Sequence, residues 1–293
     1  MGGRNAADPR RGELLLMAPA AALLLAVVLL PAARILFLSF TRADALGPGT
    51  AGVAPALRLW HDGRWLQALR NTCVLTGASV AIETLLGLAF ALVLHARLRA
   101  RSVLRAVVLV PWALPTAVMA LAWAWIFNDT FGVANDVLLR LHLLERPVAW
   151  LGEPRLAMAA IVAADVWKTT PFAALVLLAG LQSIPEDVLE AARVDGLGAP
   201  ARFLRVTLPL LLPSLVVAVL FRAVQAWGAF DVVYAMTGGG PGGATETVSL
   251  YAYQCTFRYL DFGTGAAIAT QSMLVASAVA AAGLALVARR ESP

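Results

Sequence analysis

Glu83, Asp165, Lys168, Arg222 and Asp231 are ionisable residues inside long apolar stretches of this chain, and Arg34 also lies within one. An ionised group in hydrocarbon is costly, so such residues face a bundle interior or a water-filled path. Asp165 and Lys168 are three residues apart, close enough on a helix to pair, and Glu83 can neutralise Lys168 or Arg222. Two uses stay open: glue between helices, or groups along a path for a polar solute. Lys168 is also the only lysine, and a phosphate-binding Gly-x-x-x-x-Gly-Lys-Ser/Thr loop needs one. Asp165-Val166-Trp167 precedes it, without glycine, so that loop is absent there. The glycine cluster at 238–243 is followed by no lysine. Neither Gly-x-Ser-x-Gly nor His-Glu-x-x-His occurs, which removes the common serine-hydrolase and zinc-protease chemistries. No pair among His61, His95 and His142 has metal-ligand spacing. Cys73 and Cys255 are too few for a disulfide framework and read as small free apolar side chains. Catalytic and metal-binding residues are therefore expected to be none.

The elements that carry these groups follow from composition. The 293 residues are 60% hydrophobic and 14% charged, where a soluble domain carries about a quarter charged. Mean hydropathy is +0.77. A bilayer core about 30 Å thick is crossed by about 20 apolar residues in a helix. Six windows qualify, at 14–40, 71–95, 103–127, 156–181, 208–234 and 266–287. The expected organisation is a cytoplasmic tail (1–13), a six-helix domain (14–287, core from about 70) and a second cytoplasmic tail (288–293). The first window is longer than a signal peptide's apolar region, and five more follow, so it is read as a span. Arginines are densest between the second and third windows (Arg97, Arg99, Arg101, Arg105), which places that segment and both termini in the cytoplasm. The net charge of +5 reads as loop bias in contact with lipid, not as a nucleic-acid footprint. Trp60, Trp65 and Leu69 among Arg64 and Arg70 suggest an interfacial amphipathic piece before the second span, and Trp150 an interface anchor.

Between the fourth and fifth windows, residues 183–207 form a short polar segment on the cytoplasmic side. Ser183 precedes Glu186 with capping-box spacing, Pro185 suits a helix start, and Asp195-Gly196 offers a left-handed stop. Glu186, Glu190 and Arg193 share one face, with Leu189, Ala192 and Gly196 nearer another. Such a helix is either an ordinary solvated loop or a stiff knob for a partner outside the bilayer.

Glu190-Ala191-Ala192, Asp195-Gly196 and Leu208-Pro209 resemble the EAA loop of ABC-importer permease subunits. Trp167-Lys168-Thr169-Thr170-Pro171-Phe172, the run from Leu178 to Pro185, Phe230-Asp231 and Thr237-Gly238-Gly239-Gly240-Pro241 are similar to the carbohydrate-uptake branch. Within that branch the likeness is to the larger maltose permease and its glycerol-3-phosphate and trehalose relatives. It covers most of 70–285. Leu197-Gly198 departs from the usual Ala-Ser.

The resemblance implies an all-α membrane protein, a six-span type I ABC-importer transmembrane domain with a cytoplasmic coupling helix. Glu190, Ala191, Ala192, Asp195 and Gly196 would then couple to an ATPase. The chain would hold no cofactor itself. Two copies of a separate ABC ATPase subunit would bind ATP and Mg²⁺, and a paralogous six-helix permease would complete the path. An extracytoplasmic sugar-binding protein would deliver a di- or oligosaccharide of trehalose or maltose type across a bacterial or archaeal cytoplasmic (inner) membrane. Gly238, Gly239, Gly240 and Pro241 are either a flexible turn or a backbone that docks the binding protein or approaches the substrate path. Sugars are held by polar side chains and aromatic faces, so Trp123, Asn128, Lys168, Gln225, Trp227, Asp231, Tyr234 and Gln271 are path candidates. The aromatic ones are equally packing or interface residues. A glycerol-3-phosphate or other polyol permease is the near alternative. A stand-alone ion-coupled secondary transporter is the alternative of another class, and it has no need of the Glu190 knob.

Overall fold

The computed structural model describes residues 9–41, 59–96 and 101–291. Among them the regular elements are all helices, in the order α1 (Pro9–Leu24), α2 (Leu30–Leu38), α3 (Gly63–His95), α4 (Arg101–Ala113), α5 (Thr116–Ile126), α6 (Val133–Arg140), α7 (Pro154–Gln182), α8 (Glu186–Val194), α9 (Ala199–Arg202), α10 (Leu208–Trp227), α11 (Asp231–Met236), α12 (Val248–Tyr253) and α13 (Phe262–Glu291). Single π-helical turns join α1 to α2, join α9 to α10 and follow α12. Five of the described helical segments are long and apolar enough to cross a membrane, six if the bent pair α4–α5 counts as one.

Two compact units are present. The smaller comprises residues 1–61 and 252–271 and contains α1 and α2. Its apolar segment Met17–Leu38 has no buried residue. The larger comprises 62–251 and 272–293. Within it α3, α7 and α10 pack together. α3 and α7 run in the same direction, and their C-terminal ends share an apolar cluster with the start of α10: Ala91, Leu94, Leu177, Leu178, Leu181 and Leu211. Small residues let the backbones close in. A Cβ added at Gly87 of α3 would stand 2.8 Å from Ala173 Cβ and 3.1 Å from the Ala174 amide nitrogen of α7. Between spanning helices such small-residue contacts take the place of a hydrophobic drive, since lipid is as apolar as leucine.

Three boundaries differ from the sequence expectation, each for a local reason. The second span begins at Gly63, not 71, because Asp62 caps it, its side chain accepting from Arg64 N at 2.9 Å. Trp65, Leu69 and Arg70 therefore belong to the first turns of α3, and Trp65 is buried, while Trp60 stands just before the cap. The third window is not one rod: α4 and α5 meet at 90° across Leu114-Pro115. Proline excludes the preceding residue from helical geometry, so Leu114 is where the helix breaks. The fifth span starts early, at Ala199, and ends at Trp227 rather than 234. Gly228-Ala229-Phe230 interrupts it and leaves Tyr234 on the separate α11.

Candidate functional site

Three of these intramembrane charges, Glu83, Asp165 and Arg222, meet within the larger unit. Arg222 of α10 is 4% exposed. Its Nε donates to Glu83 Oε2 at 2.5 Å, and one Nη donates both to Glu83 Oε1 at 2.9 Å and to Asp165 Oδ2 at 3.2 Å. Glu83 of α3 is wholly buried, and Thr169 Oγ1 lies 2.6 Å from its Oε1. The remaining Nη donates to Gln225 Oε1 at 2.8 Å. Asp165 is thus drawn to Arg222 on another helix, not to Lys168 as sequence proximity suggests, and Glu83 also pairs with Arg222. A bidentate guanidinium between two carboxylates satisfies more hydrogen-bonding capacity than an ammonium would. The three helices are tied about 14 residues, or roughly 20 Å, from their common end, counting Arg222 from Leu208.

Lys168 does something different. Its Nζ donates to the Leu114 carbonyl at 2.5 Å, at the 90° break of the third span. That carbonyl precedes the start of α5 and has no place in the helical ladder, so the lysine supplies its partner. Sequence alone offers no signal for a side-chain-to-backbone bond across 54 residues.

The other path candidates are dispersed. Trp123 is half-buried, edge-on to Trp167 with ring centroids 5.8 Å apart. Asn128 is held by its own loop, its Oδ1 accepting from Thr130 N and Phe131 N. Trp227 is buried and donates from Nε1 to Ser272 Oγ at 2.9 Å. Gln225 and Asp231 are exposed, as is Tyr234, which stacks on Phe230 at 5.2 Å. Gln271 is half-buried in the smaller unit. One turn before Gln225, Phe221 is 47% exposed and stacks on Phe172 at 4.6 Å, with Trp112 next in line at 6.4 Å from Phe172. No sequence signal marks this aromatic row, because its members stand on three different helices.

At the common end of α3 and α7 lies the polar helix α8. Its N-cap is Pro185, without a side-chain cap, and Glu186 and Asp187 in its first turn complement the positive end of its dipole. Ser183 forms no capping box here. It closes α7 and its hydroxyl donates back to Gly180 O at 2.8 Å. The other end is a Schellman closure: Gly196 N donates to Arg193 O at 3.0 Å and Leu197 N to Ala192 O at 3.1 Å, with Gly196 at φ +81°. Ala192 is buried, Leu189 half-buried, and Glu190, Ala191, Arg193 and Asp195 are exposed, as is Val194 at 87%. A cleft of about 880 Å³ opens beside the helix, lined among others by His95, Gln182, Pro185, Glu190 and Arg193. α8 is thus clamped on its inner face and presents charge and apolar surface outward.

The glycine segment at the opposite end is not a free turn. Asn71 Nδ2 donates to Gly243 O at 2.9 Å and Glu246 O at 3.0 Å, and Thr72 Oγ1 accepts from Val248 N at 2.9 Å. Arg64 grips the buried Glu246 carboxylate with two bonds of 2.7 Å and lies 4.7 Å over the Tyr251 ring. Tyr251 Oη donates to Asp62 at 2.5 Å. Thr245 Oγ1 bridges Thr237 Oγ1 and Gly240 O at 2.7 Å each. Gly238, Gly239 and the two residues after Pro241 all have positive φ, which glycine alone adopts without strain. Gly240 and Pro241 are half-buried within this latch. Among the described residues no group of three or more His, Cys, Asp or Glu side chains is placed to hold a metal.

Comparison with known proteins adds to this geometry. The model of the family described as binding-protein-dependent transport system inner membrane component matches residues 83–292. The chain is 43% identical over 256 residues to the trehalose/maltose transport system permease protein MalF of Thermococcus litoralis, covering 87% of this chain and 86% of that protein. It is 39% identical to the sulfoquinovosyl glycerol transport system permease protein SmoG of Agrobacterium fabrum, covering 94% and 90%. Identity to the trehalose transport system permease protein SugA of Mycobacterium tuberculosis is 38%, covering 92% and 86%. Among solved structures, a bacterial ABC transporter involved in alginate import has a chain that superposes with a TM-score of 0.83 at 20% identity, over 97% of this chain and 98% of that one. At that identity the likeness concerns the fold.

Proposed function

Because this chain belongs to the family of binding-protein-dependent transport system inner membrane components, we propose that it forms half of the translocation path of an ATP-driven importer for a di- or oligosaccharide of trehalose or maltose type. It is a multi-pass permease subunit and not itself catalytic. In this reading a paralogous six-helix permease supplies the other half of the path. Two copies of a separate ATPase subunit hold ATP and Mg²⁺, and an extracytoplasmic binding protein delivers the sugar. The observation that carries the reading is α8. A short helix closed by Gly196, anchored on Ala192 and displaying Glu190, Arg193 and Val194, is a rigid part that another protein can push. The arginine bias supports a cytoplasmic position for it and for both termini. Closure of the ATPase pair around nucleotide would move α8 and switch the path between its two openings. A glycerol glycoside is the second reading, favoured by the likeness to a sulfoquinovosyl glycerol permease along nearly the whole chain.

The test is uptake into vesicles. The chain, its partner permease, ATPase and binding protein are expected to accumulate labelled trehalose or maltose only with ATP inside the ATPase-facing compartment. Accumulation by vesicles holding this chain alone would overturn the proposal in favour of a secondary transporter.

A further inference from the structure

A guanidinium has five N–H donors and no acceptor. Arg222 Nη1 lies 2.8 Å from the Gln225 side-chain oxygen. Only the oxygen of an amide can face a pure donor, so the –NH₂ of Gln225 is turned away from Arg222. Arg222 itself has little freedom to move. Glu83 holds it through two bonds, Asp165 through a third, and Thr169 sits on Glu83. Gln225 is therefore an exposed amide whose orientation is set from the buried side.

The outward –NH₂ shares the exposed face of α10 with Val217 and Phe221, and Phe221 is backed by Phe172. An amide donor cannot be left facing hydrocarbon without the loss of its hydrogen bonds. This face is consequently turned towards water or a polar solute. A sugar hydroxyl is an acceptor for such donors, and an aromatic edge one turn away suits the apolar face of a sugar ring.

We infer that Arg222 is a positioning residue: held by Glu83, it fixes the amide of Gln225 so that its –NH₂ donors are aimed at the hydroxyl groups of the transported sugar. The inference rests on the reading of the chain as a sugar permease. It adds a buried orienting group to a candidate that residue type alone had suggested. Were the amide free to turn, it would present an acceptor as often as donors, and discrimination between sugar epimers would blur.

The assay is ATP-driven uptake of trehalose and of maltose by the full complex in vesicles, normalised to assembled complex. Four variants are compared: Gln225→Leu, Arg222→Lys, the two together, and Gln225→Glu. Lysine keeps the charge against Glu83 but has no fork to reach Gln225 as well. Each single change is expected to lower uptake about tenfold, the equivalent of one good hydrogen bond. The double variant is expected to lose no more than Arg222→Lys alone, because the contact that orients Gln225 is already gone there. A roughly hundredfold, multiplicative loss would show that Arg222 acts independently of Gln225 and would overturn the inference. Gln225→Glu keeps the Arg222 contact and replaces donors by an acceptor, so it is expected to fall like the leucine variant. Wild-type uptake by it would overturn the inference even if Arg222→Lys fails to assemble. Wild-type uptake by Gln225→Leu would also overturn it, while leaving the sugar-permease reading intact. Failure of the unaltered complex to take up any sugar would instead count against that reading.

Discussion

Gly196 provides the sharpest test of α8 as a rigid lever. Its φ is +81°, and a Cβ there would meet nothing within 4 Å. Gly196→Ala therefore costs only the left-handed backbone strain, about 1–2 kcal/mol, with no clash added. Gly196→Pro is of another order. Proline's φ near −65° lies roughly 145° from the native value, so the turn cannot form. The substitution also deletes the donor to Arg193 O and with it the register that lets Leu197 N reach Ala192 O. Two hydrogen bonds at about 1 kcal/mol each, added to the strain, bring the loss to about 3–4 kcal/mol. If a formed α8 is what the ATPase engages, Gly196→Ala is expected to leave vesicle uptake within about thirtyfold of wild type, and Gly196→Pro to lower it by more than about a hundredfold. Co-purification of the ATPase should fall in the same order. Equal uptake by the two variants would show that the Schellman turn is not needed for coupling.

Other consequences are read off directly. Gly87→Val must push α3 away from the Ala174 backbone, which cannot yield, and is expected to lower the melting temperature of the purified complex, with a cost of about 1–3 kcal/mol. Gly77→Ala on the same helix meets nothing within 4 Å and serves as the neutral comparison. Lys168→Met leaves the Leu114 carbonyl unpartnered at a cost of about 1–3 kcal/mol, whereas Lys168→Arg keeps a donor. Thermal stability indistinguishable between them would remove Lys168 from the account of the bend. Glu246→Ala cuts the Arg64 grip, and because the arginine side chain is 39% exposed the loss is expected near about 1 kcal/mol. Amide exchange over 243–248 should quicken, and unchanged protection would mean that Asn71 and Thr72 alone hold the loop.

What the sequence made legible was whatever depends on local composition. Long apolar runs located the spans, and an Asp-Gly pair marked the end of α8 because only a residue without Cβ enters that backbone region readily. What it hid were relations between distant residues. Asp165 and Lys168 are neighbours on one helix, yet each finds a better partner elsewhere, on Arg222 and on the Leu114 carbonyl. Hydropathy windows sum over 103–127 and are blind to a 90° break, although Pro115 was visible as its cause. The latch of Arg64 on Glu246 joins residues 182 positions apart. Its only advance signal is topological: with the arginines at 97–105 in the cytoplasm, the start of the second span and the glycine segment both fall on the outer side.

The arrangement also explains why costly buried charges suit this chain. α8 leaves α7 after only Ser183, Ile184 and Pro185, and the chain then re-enters the bundle through α9 and α10. A displacement of α8 therefore pulls on two helices at once. Apolar packing near their ends, through Leu178, Leu181 and Leu211, resists separation but slides easily. The Arg222 fork on Glu83 and Asp165 does not slide, because its bonds are directional and breaking them would strand charges in hydrocarbon. Replacing the cluster by well-packed leucines would preserve cohesion, and buried ion pairs often lose little when exchanged in that way. The property lost would be register. A lever some 20 Å long transmits a small rotation only if its helices cannot slip past one another, and the charges sit about that distance from α8.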